Sequence, residues 1–202
     1  MKKGLAVAMA ALLGVATMGT TAMAAASGDI TICSREDGSG TRGAFIELFG
    51  IEEKDADGNK VDNTTEAAKI TNSTSVMLST VAQDVNAIGY VSLGSLDDSV
   101  TAVKIDGAEA TAESIESGDY KVVRPFNIAT KDDVSEAAQD FITYITSADG
   151  QQIIEDNGYI AVGDKPAYEA ADVEGKVVVA GSSSVTPVME KLAEGYKAVN
   201  DK

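Results

Sequence analysis

The chain has 202 residues, carries 32 Asp and Glu against 16 Lys and Arg for a formal net charge of −16, and contains no histidine. Such an acidic surface repels nucleic acid and gives an anionic ligand no long-range attraction, so any anion site must work through short-range hydrogen bonds. Without histidine, neither a Ser-His-Asp relay nor an imidazole-held metal can be built.

In chain order, Lys2 and Lys3 precede an apolar run from Leu5 to Val15 and an Ala22-Met23-Ala24 cleavage pattern, which predicts a secretory signal over residues 1–24. The mature chain then starts near Ala25 and works outside the cytoplasm. No cysteine follows the apolar run directly, so a lipid anchor is not predicted. The single Cys33 cannot form an intramolecular disulfide and reads as a small buried hydrophobe on a strand.

The stretch "DITICS" predicts a strand, and "GAFIELFG" a helix with Phe45, Leu48 and Phe49 at helical spacing, stopped by Gly50. "IEEKDADGNKVDNTTEAAKI" is polar around a D-G turn and predicts an exposed hairpin; its acids lack the ligand spacing of an EF-hand. Ser73 opens a helix with Val76, Met77, Thr80 and Val81 on one face. "NAIGYVSLG" reads as a short buried strand. A strand closed by Asp106-Gly107, a short capped helix in "TAESIESGDY" and a strand interrupted at Pro125 follow.

Next comes a helix in "DDVSEAAQDFITYITS", with Val134, Ala138, Phe141, Ile142 and Ile145 as its stripe, then a further helix and a short strand in "ADGQQIIEDNGYIAV". Alternating strands and helices make residues 25–162 an α/β lobe around a central sheet. Residues 163–175 lack periodicity and read as a linker. Within 176–202, Val177 to Ala180 predicts a buried strand, Gly181 to Ser184 a loop, and Pro187 to Val199 an amphipathic helix with Met189, Leu192 and Tyr196 on one side. One strand and one helix cannot bury a core alone, so this module is docked on the lobe or incomplete.

Two strand-loop-helix junctions carry chemistry. In "SREDGSGTRGAF", Ser39, Gly40 and Thr41 offer hydroxyls and close backbone amides at a helix start, and Arg35 offers a permanently charged fork. Asp37, two residues on, is placed to hold the Arg35 guanidinium, while Arg42 reads as an exposed first-turn side chain. Gly181-Ser182-Ser183-Ser184 repeats the grammar. Each loop alone is also consistent with a capped turn, and Ser73-Thr74-Ser75 with either a plain cap or a cleft wall. Neither loop has the GK[ST] of a nucleotide P-loop or the G-x-S-x-G of a nucleophile elbow.

"SREDGSGTRGAF", "NAIGYVSLG", "VTAVKIDG", "RPFNIATK" and "DGQQIIEDNGYIAV" resemble the second lobe of the phosphate-binding proteins that feed ABC importers, the PstS family. "VVVAGSSSVTPVMEKLAEGYKAVN" resembles the opening strand and helix of that family's first lobe. The resemblance implies one periplasmic-binding-protein-like lobe with a central mixed sheet flanked by helices, plus the start of a second, incomplete lobe. It implies phosphate ligands at Arg35, Ser39, Gly40 and Thr41, with Ser183, Ser184 and Val185 from the other loop and Asp37 behind them.

The function it implies is secreted capture of inorganic phosphate in the periplasm or at the outer face of the cell membrane. Delivery is to ABC permease subunits, by a monomer with no cofactor, no metal and no enzymatic activity. The alternatives are another tetrahedral oxyanion, sulfate or molybdate, and a non-transport envelope protein on the same fold. The two segments stand in the reverse of the usual order, as in a circular permutation. The remainder of the first lobe, with the carboxylate that accepts the proton of hydrogen phosphate, has no counterpart, so a truncated form with weak or no binding is expected.

Overall fold

The computed structural model describes residues 27–202, and the secretory signal predicted over residues 1–24 lies outside the described residues. Strand β1 (Thr31–Arg35) runs into helix α1 (Gly40–Leu48), and a hairpin of β2 (Glu52–Lys54) and β3 (Lys60–Asp62) follows. Strand β4 (Lys69–Thr71), helix α2 (Thr74–Ala82) and strand β5 (Ala87–Ile88) complete the first half. The sheet has the order β4-β1-β5. Both pairings are parallel, with Cys33 opposite Lys69 and Thr31 opposite Ala87. The antiparallel element is the separate β2-β3 ribbon, so the central sheet is parallel among the described residues rather than mixed.

These elements follow from local chemistry. Gly50, at φ +64°, takes the left-handed conformation that ends α1, while the Ile51 N–H folds back onto the Ile46 carbonyl at 2.8 Å. The hairpin turns through Asp55, whose carboxylate accepts from the amides of Asp57 and Asn59. In α2 the buried face is Thr74 and Met77, with Val81 half-buried beside it; Val76, expected on that face, stands exposed.

The remaining helices are α3 (Ala112–Glu116), α4 (Glu136–Ile145), α5 (Ala148–Asp156) and α6 (Thr186–Val199). Val188 and Leu192 of α6 pack against Phe141, Tyr144 and Ile145 of α4, with Ile153 and Ile154 of α5 alongside. Gly195 allows the close approach, since a side chain there would collide with the Tyr144 hydroxyl and the Ile153 Cδ1. The segment 163–175 contains no helix or strand yet is held to the helices. The Tyr168 amide donates to Asp149 at 2.7 Å, and the hydroxyls of Tyr168 and Tyr196 both donate to Oδ2 of the buried Asp140 at 2.6 Å. Desolvation, then the Asp140 carboxylate, pushes both phenols above the ordinary tyrosine range.

Three expectations are corrected. The buried face of α4 is Ala137, Asp140, Phe141, Tyr144 and Ile145 rather than a stripe through Val134, Ala138 and Ile142. The face is rotated by about one residue, roughly 100°, because α5 and α6 cover that side while Ala138 and Ile142 look into an open apolar cleft. The strands expected at 100–105, 121–130, 159–162 and 177–180 do not form; an isolated bridge from Ile105 to Ala108 is all that remains of the first. A strand exists only with a ladder partner, and these apolar segments line the walls of the same cleft without pairing, which leaves Val178 79% exposed. The "NAIGYVSLG" strand shrinks to Ala87–Ile88, followed by a single 3₁₀ turn, Leu93–Ser95.

Candidate functional site

Because β1 and β4 are parallel, both strands end on one edge of the sheet, and the loops leaving them open α1 and α2 side by side. Ser39 caps α1, accepting from the Arg42 amide at 3.4 Å, and Ser73 caps α2, accepting from the Val76 amide at 3.2 Å. Gly38, at φ +79°, makes the turn that brings Ser39 over the helix axis. The start of α6 arrives from across the cleft, with Pro187 in its first turn. Three helix N-termini, each with open amides and a partial positive end, therefore converge.

Arg35 is the centre of this junction. It is 2% exposed, and its backbone N–H donates to the Tyr90 hydroxyl at 3.0 Å. Its Nε and Nη2 donate to the two carboxylate oxygens of Glu36 at 2.8 and 2.9 Å. Nη2 also donates to the Ser183 Oγ at 3.1 Å, and that hydroxyl is in turn 3.1 Å from the Thr74 Oγ1. Nη1 is buried and, among the described residues, is the one such side-chain nitrogen or oxygen without a hydrogen-bond partner. An unpaired buried donor on a full charge is costly to retain.

Around it, the hydroxyls of buried Thr41 and Ser184 bond to each other. The Ser184 amide donates to the Ser182 Oγ at 3.3 Å, and its carbonyl accepts from the Tyr159 hydroxyl at 2.7 Å. Gly40 faces Ser182: a Cβ at Gly40 would lie 3.3 Å from both the Cβ and the Oγ of that serine. Arg35, Gly40, Thr41, Ser183 and Ser184 thus come together, with Ser39 at the rim as a cap. Val185 does not offer its amide, which closes the turn onto the Ser182 carbonyl at 3.1 Å.

Asp37 does not hold Arg35. Its side chain is 97% exposed and pairs with the Arg42 Nη1 at 2.7 Å, because it lies past the end of β1, where the chain turns toward the first turn of α1. Glu36, adjacent to Arg35, takes the role, and the hydrogen bond from Arg35 holds the Glu36 carboxyl below the ordinary glutamate range. Nor is Arg42 a free solvated side chain. It also binds Asp62 at 2.8 Å and the Arg35 carbonyl at 3.0 Å, and so ties the hairpin to the loop. Desolvation raises the Asp62 carboxyl, but hydrogen bonds from Thr64 and Arg42 outweigh it and hold the group below its usual value.

Sequence reasoning missed Glu36 and Tyr90, and named Ser182 only as a member of the Gly181–Ser184 loop. Tyr90, stacked on Phe45 with ring centroids 4.0 Å apart, reaches both Arg35 and the Ser34 hydroxyl. It follows β5 in the chain and has no local signal. Thr74 had one, in the hydroxyl run Ser73-Thr74-Ser75, and the structure turns Thr74 to Ser183 while Ser73 caps the helix. What the cluster can supply is a guanidinium, several hydroxyls and helix-start amides, which is the donor set a small oxyanion needs. No group of three metal-ligating side chains occurs among the described residues.

A family model described as a PBP superfamily domain matches residues 16–149. A phosphate-binding protein PstS 2 from Streptococcus agalactiae serotype V is 56% identical over 209 residues, covering 100% of this chain and 71% of the relative. A phosphate-binding protein PstS 2 from Streptococcus pneumoniae serotype 4 is 50% identical over 176 residues, covering 87% of this chain and 60% of the relative.

Among solved structures, a phosphate-binding protein of a phosphate ABC transporter from Streptococcus pneumoniae TIGR4 superposes with a TM-score of 0.70 at 49% identity, over 86% of this chain and 68% of that one. A putative phosphate ABC transporter substrate-binding protein with bound phosphate from Clostridium perfringens gives 0.58 at 40% identity, over 66% and 52%. The alignment with the Streptococcus agalactiae protein runs over the whole chain, so the order of the two loops is shared with that relative rather than peculiar to this sequence.

Proposed function

The chain belongs to the PstS family of phosphate-binding proteins, and on that premise we propose that it is an extracytoplasmic solute-binding protein that captures inorganic phosphate for an ABC importer. The observation that carries the reading is the Arg35 Nη1, a buried charged donor without a partner beside the hydroxyls of Thr41, Ser183 and Ser184. A tetraoxo anion would accept from Nη1 and Nη2, from the two serine hydroxyls and Thr41, and from the Gly40 and Thr41 amides that begin α1.

These groups are bonded to one another, so an incoming anion has to displace the Arg35 Nη2–Ser183 bond and the Thr41–Ser184 and Ser183–Thr74 contacts. Binding by the 202-residue chain is accordingly weak. In this reading residues 25–162 form the lobe carrying the first loop, 163–175 join it to the second loop, and 176–202 begin the other lobe. The protein is a secreted monomer that meets permease subunits at the membrane and has no catalytic role. Among the described residues no helix is long and apolar enough to cross a membrane.

A second oxyanion stays in view for one reason. Both Glu36 oxygens are taken by Arg35, so the described cluster offers donors and no free carboxylate to accept a proton from the ligand. It therefore does not by itself separate hydrogen phosphate from sulfate. Titration calorimetry with phosphate, sulfate and molybdate tests the reading. Phosphate heats that vanish in Arg35→Ala support it; phosphate binding unchanged in that variant removes the cluster from the site.

A further inference from the structure

We infer that Asp140 of α4, which makes no hydrogen bond to the anion cluster, is a positioning residue for it: through the Tyr196 phenol its carboxylate sets where α6 begins, and so where Ser183 and Ser184 stand relative to Arg35. The inference rests on the phosphate reading above and adds a control point outside the cluster.

Most of what holds α6 against α4 and α5 is apolar. Its buried residues are Val188 and Leu192, and Gly195 lets the helices meet without an interlocking side chain. Apolar packing is non-directional and fixes the place of a helix along its neighbours less sharply than a directed bond does. That bond comes from the Tyr196 hydroxyl, 2.6 Å from Asp140 Oδ2. The Tyr168 hydroxyl donates to the same oxygen at 2.6 Å. The Asn200 Nδ2 donates to the Tyr196 hydroxyl at 3.1 Å and to the Val173 carbonyl at 3.2 Å, so carboxylate and phenol are both held in orientation. Segment 163–175 is drawn into the same knot, also through the Pro166 carbonyl, which accepts from the Ala148 amide at 2.8 Å.

Stability alone does not account for this cluster. Asp140 is 8% exposed and, among the described residues, is paired with no lysine or arginine. A carboxylate buried on hydroxyl donors keeps its desolvation cost, and apolar side chains of the same volume stabilise as well or better. What they lack is direction. Direction matters just ahead of α6, where the Ser183 Oγ meets the Arg35 Nη2 at 3.1 Å and Ser184 meets Thr41. A shift of about half an ångström takes such a bond out of range.

The triple variant Asp140→Leu, Tyr168→Phe, Tyr196→Phe separates direction from stability. Urea denaturation should find it as stable as the wild type or more so. Nitrogen-15 NMR titration with inorganic phosphate, followed at the Ser183 and Ser184 amides, also reads weak binding, and its midpoint should rise roughly fivefold. Tyr196→Phe alone should give most of that rise.

A wild-type midpoint in the triple variant, with Arg35→Ala still abolishing the response, overturns the role of Asp140 and leaves phosphate binding intact. A triple variant that loses stability and affinity together also overturns it, assigning the cluster to folding. Wild-type amide signals that ignore phosphate overturn both readings. Should the triple variant fail to fold, Tyr196→Phe carries the decision: a wild-type midpoint there overturns the inference.

Discussion

Thr41 and Ser184 stand 143 positions apart in the chain and bond hydroxyl to hydroxyl at the meeting of α1 and α6. Each is at most 9% exposed, so neither can exchange its partner for bulk water. Thr41→Val keeps the shape and removes one hydroxyl, which leaves the other stranded at a cost of about 1–3 kcal/mol. Urea denaturation should show that loss in Thr41→Val and a smaller loss in Thr41→Val with Ser184→Ala, where both polar groups are gone. An additive double variant would mean the contact carries no stability.

Leu192, 2% exposed on α6, packs against the α4 residues Phe141 and Tyr144. Leu192→Ala should cost about 2–5 kcal/mol by chemical denaturation. Val178→Ala, at a position 79% exposed, should stay within about 0.5 kcal/mol of wild type.

Tyr144, Tyr168 and Tyr196 all have phenols raised by desolvation, the last two also by Asp140. A raised folded pKa stabilises below the unfolded value and is lost as pH climbs through the folded one. Stability should thus be flat at neutral pH and fall above about pH 10, with phenolate absorbance appearing together with loss of tertiary structure. Phenolate absorbance that develops over the ordinary tyrosine range, ahead of any unfolding, would contradict the burial of these rings.

Glu36 has the opposite sign. Its carboxyl is lowered by the Arg35 hydrogen bond, so the Arg35 clamp is intact above the ordinary glutamate pKa and fails as pH drops through the depressed one. The charged groups near it are Arg35, Asp37 and Arg42. Inorganic phosphate remains a monoanion through that acid range, so the wild-type phosphate response should weaken there while that of Glu36→Gln stays level. Parallel decline in both would assign the effect elsewhere.

Much of the candidate site could be read from residue order, because helix starts announce themselves locally: Ser39, Gly40 and Thr41 after a strand, and Ser183 and Ser184 before Pro187, needed no tertiary information. The partner of Arg35 did. Glu36 and Asp37 are chemically alike, and the choice between them depends on where β1 ends and which side of the chain Arg42 reaches. Tyr90 was invisible for the same reason. Among elements, α1, α2 and the hairpin were legible from spacing and turn residues. The segments around Val103, Val123 and Val178 have strand composition, but composition cannot supply the neighbouring strand that would turn it into a ladder. The stripe of α4 was misread by one residue because Asp140 and Tyr144, polar in composition, are buried, Asp140 under the phenols of Tyr168 and Tyr196 and Tyr144 by ring packing against the same two side chains.

Helix α6 is gripped at both ends by different things: Tyr196 is fastened to Asp140 of α4, and Ser184, just ahead of the helix, meets Thr41 of α1. Twelve positions at about 1.5 Å each separate those two grips, some 18 Å. The helix is thereby a lever with its fulcrum at the phenol. A tilt of only about 5° there would swing the serine end by roughly 1.5 Å over that length, enough to make or break a hydroxyl contact.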